Sequence, residues 1–224
     1  MRRFLSIILS IPRTVYFNIR YLPFKKAIHL PIWIANNVRV RNLHYGSLII
    51  NTSNISLGMI RVGYHKVEAV DIYSTHTILD INKFGKLVFT NDAHIGHGAI
   101  LCVKENGVLT LGDNFAISGT TSIICYHNIC IGKNVQFSWD SLVIDSDAHH
   151  IIDELGNRAI NTAPIFIGDN VWIGARTTIL KGTTVNNNCV VGAASLLNKK
   201  YLSCNSLIAG SPAIEIKKIT GWKL

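Results

Sequence analysis

The 224-residue sequence predicts an all-β solenoid, in which short strands and tight corners alternate along a continuous apolar column. The first observation is a period of six. From position 167 an aliphatic residue recurs at Ile167, Ile173, Ile179, Val185, Val191 and Leu197, and four positions after each of the first five stands Val171, Thr177, Thr183, Cys189 or Ser195. No helix has this period and an isolated hairpin does not repeat it, whereas one strand and one turn per unit does. The second is composition: 33 Ile favour strands, and 20 Asn suit corners where the backbone turns left-handed. The third is the pairing of 48% hydrophobic with only 16% charged residues, which excludes a disordered chain and supplies a core without staples. Five cysteines, odd in number and without a CxxC pair, argue against a disulfide framework or zinc ribbon and fit a reducing compartment.

Residues 1–45 read as a basic amphipathic arm. The whole net charge of +9 originates near the N-terminus, because residues 1–67 hold ten Lys or Arg and no acid before Glu68. The apolar run Phe4 to Pro12 is far shorter than the roughly 20 residues that cross a bilayer. It imitates a signal peptide, but Thr14, Val15 and Tyr16 offer no small-residue cleavage site and more bases follow. Two readings of residues 1–26 stand side by side. One is an arm on an anionic membrane face, with Phe4, Leu5, Ile8, Tyr16 and Phe17 towards acyl chains. The other is a helix docked on its own domain or on a sister subunit. Nucleic acid is not an expected partner, since the bases are dispersed among aliphatics and no recognition motif accompanies them. The expected location is cytoplasmic, or peripheral at the inner face of the cell membrane.

Residues 46–205 read as the solenoid and 206–224 as a short tail. Below the clean repeats a looser block keeps the step at Leu111, Ile117 and Ile123, slips by two to Ile131, and resumes at Phe137 and Val143. Phe115, Thr121 and Val135 hold its companion positions, and Ile95 with Ala99 forms an earlier rung. These aliphatics are core residues and the Asn residues are mostly corners.

The rhythm fails between Val143 and Ile167, so an excursion loop is expected at 144–166. It carries Asp145-Ser146-Asp147-Ala148-His149-His150, carboxylates and imidazoles together on a loop of a rigid scaffold. Together with Ser138-Trp139-Asp140, Ala163 through Ala175, Val191-Gly192-Ala193-Ala194-Ser195 and Ala209-Gly210-Ser211-Pro212-Ala213, this segment resembles the hexapeptide-repeat acyltransferases. The likeness spans about residues 92–215 and is strongest to the branch that O-acetylates sugars, including galactoside, maltose and polysaccharide acetyltransferases. The segment Tyr16-Phe17-Asn18 through Leu22-Pro23-Phe24-Lys25-Lys26-Ala27 also looks like the arm of the polysaccharide members.

The resemblance implies a left-handed parallel β-helix, a homotrimer with active sites between adjacent columns, and acetyl-CoA as co-substrate with no metal. It implies His149 as general base on the acceptor hydroxyl, a role that suits an imidazole because it can take up and return one proton near neutral pH. It places the backbone N–H of Ala175 at the developing oxyanion. CoA would be bordered by Trp172, Gly174, Gly192 and Ala193, with Lys199 and Lys217 near its phosphates. Asn198, Lys200 and Ile214 depart from the family pattern there. Trp139 and Asp145 are expected at the acceptor. Asp147, two residues from His149 and so on the same side of an extended strand, is expected to orient the imidazole, and either Asp can instead cap a turn. The acceptor would be a sugar or lipid-linked saccharide of a cell-surface polysaccharide.

Two rivals remain at this stage. A zinc-dependent β-helix lyase of carbonic-anhydrase type would draw ligands from His94, His97, His127, His149 and His150, although their spacing does not match that branch. A non-enzymatic membrane-surface scaffold would need only the basic arm.

Overall fold

The computed structural model describes residues 2–64, 67–71 and 74–223, and for residues 2–7 the backbone alone, so the side chains of Phe4 and Leu5 lie outside the described residues. Among the described residues the strands form three sheets of nine, seven and seven strands, parallel except for the final hairpin, and each coil gives one strand to each sheet. The first sheet starts with Ile32–Ile34, the second with Arg39–Arg41 and the third with Leu48–Ile50. This is a three-sided parallel β-helix: the period of six predicts the solenoid, and the resemblance implies the parallel β-helix.

Register explains that period. On the first sheet Ile117, Phe137, Ile173, Val191 and Ile208 stack in line, all buried. The companion residues Val171, Thr177, Thr183, Cys189 and Ser195 are buried at the corners, where Thr177 and Thr183 hydroxyls reach backbone carbonyls. The looser rhythm of the earlier block is a change of coil size. From Ile173 to its partner Val191 the chain advances 18 residues, but from Ile95 to Ile117 it advances 22. Lower coils use longer strands, such as Ile100–Val103 and Val108–Leu111, where upper coils use pairs such as Thr178–Ile179. One edge is turned by Asn114, Asn134, Asn170, Asn188 and Asn205, all with positive φ, and its side chains bond coil to coil, as in Asn170 Nδ2 to Asn188 Oδ1 at 3.0 Å. Asn tolerates this conformation better than other residues with a Cβ.

The stack opens at Ile32, inside the stretch expected as the arm. Helix α1 (Arg2–Tyr21) and the single turn α2 (Phe24–Ala27) precede it, and α1 lies on the free edge of the first strand. That strand uses its other edge on the next coil, where Pro31 O accepts from Ile60 N and Ala35 N donates to Val62 O. Ile32 and Ile34 would otherwise present unpaired backbone groups outward. Asn18 satisfies both groups of Ile32, its Nδ2 donating to the carbonyl at 2.7 Å and its Oδ1 accepting from the amide at 3.1 Å. Thr14 Oγ1 accepts from Ile34 N at 3.2 Å. A helix with Thr and Asn on its inner face therefore replaces the missing coil and blocks edge-to-edge pairing. At the other end Ser206–Gly210 still adds a parallel rung, so the stack extends into the expected tail, and Ala213–Lys218 folds back antiparallel over it.

Asn18→Ala removes a donor and an acceptor from buried backbone groups, and the expected loss of unfolding free energy is about 2 to 3 kcal/mol. Denaturant titration measures it, together with faster amide exchange at Ile32. An unchanged midpoint would contradict the capping role.

Candidate active site

The residues singled out by sequence fall on two different edges of the prism. One edge joins the second sheet to the third. The strand Leu142–Ile144 ends there, and the chain leaves the stack as a hairpin before returning at Ile165–Ile167. Asp145, expected at the acceptor, is instead fully buried and holds the root of this hairpin. Its Oδ1 accepts from Tyr126 N at 2.6 Å, and its Oδ2 accepts from His127 N at 2.8 Å and Asn128 N at 2.7 Å, all on the corner of the coil below. With both oxygens taken, the carboxylate has nothing to offer a sugar hydroxyl. The adjacent Cys125 thiol donates to Asp145 Oδ2, and burial, reinforced by that carboxylate, pushes its pKa up to about 12. Cys125 is therefore a protonated core thiol and no nucleophile.

Beyond Asp145 the hairpin is laced by Asp147 N to Asn161 O and Ala159 N to Ile151 O, both 2.8 Å. At its tip Asp153 accepts from Leu155 N, Asn157 N and Asn157 Nδ2, which holds its carboxyl below the usual range. Ser146 Oγ accepts the amide of Ala148, and Ala148 adopts φ +60°, a left-handed turn that directs the next residue. Asp147 does not touch the imidazole it was expected to orient. Its carboxylate meets Lys181 Nζ at 2.5 Å, and the same ammonium donates to Ile160 O at 2.8 Å. Lys181, on the coil above, thus ties both strands of the hairpin to the stack.

The two neighbouring imidazoles are in different situations. His150 Nδ1 lies 3.2 Å from Ala159 O across the hairpin. His149 is exposed, and its ring has no hydrogen-bond partner among the described residues. Lys199 stands farther up this edge, exposed, with its ammonium 5.7 Å from the Tyr201 ring centroid.

The other edge joins the first sheet to the second. Trp139, Ala175 and Ala193 lie on it in consecutive coils, linked by Arg176 N to Trp139 O at 2.9 Å and Ala194 N to Ala175 O at 2.8 Å. The Ala175 and Ala193 amides have no acceptor among the described residues. Gly174 and Gly192 are required by the stacking itself: a Cβ on Gly174 would stand 2.6 Å from Ala193 N, and one on Gly192 would stand 2.9 Å from Ala209 Cβ. Trp172 belongs to the first sheet and is 40% exposed on its outer face, donating to Ser138 Oγ at 3.2 Å. Its ring is 6.2 Å from that of Trp222, whose indole N–H bonds Asn170 O at 2.9 Å. Lys217 is exposed on the returning strand, paired with Leu207.

Sequence reasoning missed Lys181 and Trp222. A lone Lys in an otherwise uncharged hexad, one coil from an acidic loop, was the available signal for the first; nothing local marked the second. The histidines of the metal reading are dispersed. His94 is exposed on the first sheet, His97 is buried against Asn37 and Thr75, and His127 lies beneath Asp145. Among the described residues no group of three His, Cys, Asp or Glu is placed to hold a metal ion. Among them too, no helix is long and apolar enough to cross a membrane.

Comparison with known proteins agrees with this architecture. The family model for the bacterial transferase hexapeptide (six repeats) matches residues 164–199, the block of clean hexads. Galactoside O-acetyltransferase of Escherichia coli is 33% identical over 110 residues, 49% of this chain and 53% of that protein. WbbJ of Escherichia coli, named as a lipopolysaccharide biosynthesis O-acetyl transferase, is 29% identical over 149 residues, 62% of this chain and 74% of that protein. The chain thus spans about half the length of the first of these relatives. Its fold matches LpxA from Acinetobacter baumannii with a TM-score of 0.52 at 16% identity, covering 84% of this chain and 70% of that one. The chain carries a block of hexapeptide repeats on the left-handed β-helix fold, and over the matched stretches it is similar to sugar and polysaccharide O-acetyltransferases.

Asp145→Ala leaves three backbone donors without their charged acceptor, and unfolding free energy is expected to fall by about 3 kcal/mol or more. Urea denaturation reads this loss. Stability equal to wild type would mean that the corner does not depend on Asp145.

Proposed function

We propose that this chain is an O-acetyltransferase that moves an acetyl group from acetyl-CoA to a hydroxyl of a sugar in cell-surface polysaccharide synthesis. One observation carries the reading. An unpartnered, exposed imidazole is presented by an anchored hairpin on one edge, while the unpartnered amide of Ala175 lies on another edge. Neither edge alone is a site, but an edge of one protomer laid against the other edge of a second brings them together. A threefold ring of such contacts closes and uses every edge of both kinds, which is the homotrimer the resemblance implies. The relatives' names supply the chemistry, one acting on galactosides and the other named for lipopolysaccharide biosynthesis.

The residues present suit CoA. Trp172 and the low rim at Gly192 and Ala193 give a thin apolar arm a wall, and Lys199 and Lys217 are exposed cations for phosphates. When bound, the thioester supplies an electrophilic carbonyl. His149 takes the proton of the acceptor hydroxyl as the oxygen attacks, and returns it to the departing sulfur. The Ala175 amide stabilises the carbonyl oxygen as negative charge develops, and because it belongs to the main chain it needs no particular side chain. Lys181 acts earlier, holding the hairpin so that His149 meets the acceptor in one orientation. With Asp145 engaged in the core, Trp139 remains the residue proposed to meet the sugar.

Acetyl-CoA-dependent release of free thiol with a panel of cell-surface oligosaccharides tests the assignment. His149→Ala is expected to lower turnover by about 10² or more with CoA affinity nearly unchanged. Acetyl transfer that survives this change would refute the mechanism.

A further inference from the structure

Helix α1 is amphipathic in the reverse sense for a helix that only packs on its own domain. Its inner face is largely polar, with Ser10, Thr14 and Asn18 buried and Phe17 the apolar member. The outer face carries Ile8, Leu9, Ile11, Tyr16 and Ile19, all exposed, Leu9 at 60% and Tyr16 at 63%. Phe24, 73% exposed on the following turn, continues the patch. The orientation of this face follows from the capping bonds. Thr14 and Asn18 bond the free edge of the first strand, so the opposite face points along the solenoid axis, away from the stack. It forms one end of the molecule rather than one of its sides.

Charge identifies what meets it. Arg20 and Lys25 are exposed beside the apolar patch, and residues 1–67 contain no acid at all until Glu68. A second protein chain docking here would need a broad apolar surface ringed by acids. In a second copy the nearest match is the hairpin tip, where Ile151, Ile152, Leu155 and Ile160 are exposed beside Asp153 and Glu154. That is a two-stranded hairpin rather than a flat face, and Asp153 is already engaged by Leu155 N, Asn157 N and Asn157 Nδ2. A bilayer with anionic headgroups provides both components over a flat area: acyl chains for the aliphatic and aromatic side chains, phosphates for the cations. We propose that the helical end of the solenoid is a peripheral membrane-docking face for anionic lipid. This goes beyond acyl transfer and does not depend on it. The helix lies in the interface rather than crossing it, because its inner face remains bonded to the first coil.

Flotation of the full chain with vesicles decides the matter. Wild type is expected to bind vesicles of phosphatidylcholine with about 30% phosphatidylglycerol about tenfold more than pure phosphatidylcholine, with binding falling as salt is raised. Leu9→Ser with Tyr16→Ser and Ile19→Ser changes only exposed side chains, and Arg20→Glu with Lys25→Glu changes only the flanking charges. Each set is expected to abolish flotation while circular dichroism and melting stay as in wild type. Failure of wild type to bind anionic vesicles would overturn the proposal. So would wild-type flotation by either variant, or an apolar variant whose only change is a smaller assembly by light scattering, which would make the face a contact between copies of the chain.

Discussion

A stack of parallel coils makes its backbone hydrogen bonds along one direction only, and that constraint governs the rest of this molecule. The sides of the prism are left with side chains alone, and its two ends are left with unpaired strand edges. Each coil must also close on itself, so any extra residues leave at a corner. The N-terminal helix answers the first problem with two side chains, Asn18 and Thr14, which substitute for a coil. The returning strand Ala213–Lys218 answers it at the other end.

The excursion at 145–164 shows how a corner becomes a platform. A loop leaving a regular stack is free to move unless something ties it down, and here three ties act in sequence. Asp145 fixes the root to the coil below, Ser146 and Ala148 fix the turn, and Lys181 fixes both hairpin strands to the coil above. His150 is bonded within the hairpin and His149 is not. Of the two adjacent imidazoles, only that of His149 is thus left without a partner among the described residues. The same constraint acts on the other edge, where close coil stacking demands Gly174 and Gly192 and the Ala175 amide has no acceptor among the described residues.

How much of this could be read beforehand depended on whether a residue acts locally. The inward column from Ile167 to Leu197 repeats every six residues because a strand and a corner need only local geometry, so it was plain in the sequence. The lower coils were blurred because their longer strands break the period, as the step from Ile95 to Ile117 shows. Asp145 and Asp147 were recognised as unusual, but their partners lie 17 to 19 and 34 residues away in the chain. Whether a carboxylate meets backbone amides, a lysine or a substrate is a property of the stacking, which spacing along one loop does not encode. The docking of α1 was open for the same reason: a buried Asn serving a distant strand looks like any polar residue on a helix. Secondary structure and core were therefore legible, whereas the duties of the polar residues were not.

The central claim is that His149 of one copy works with the Ala175 edge of the next. Subunit complementation tests it most directly. His149→Ala lacks the base, and Ala193→Trp blocks the groove on the other edge, so each alone is expected to be inactive. If the two are unfolded together and reassembled in equal amounts, about a quarter of the directed interfaces in a random ring join an intact base to an intact groove. Recovery of about a quarter of wild-type turnover is the result that sharing between copies predicts. A mixture as inactive as its parents, with wild type reassembled in parallel regaining full turnover, would place both residues in one protomer's site and contradict it.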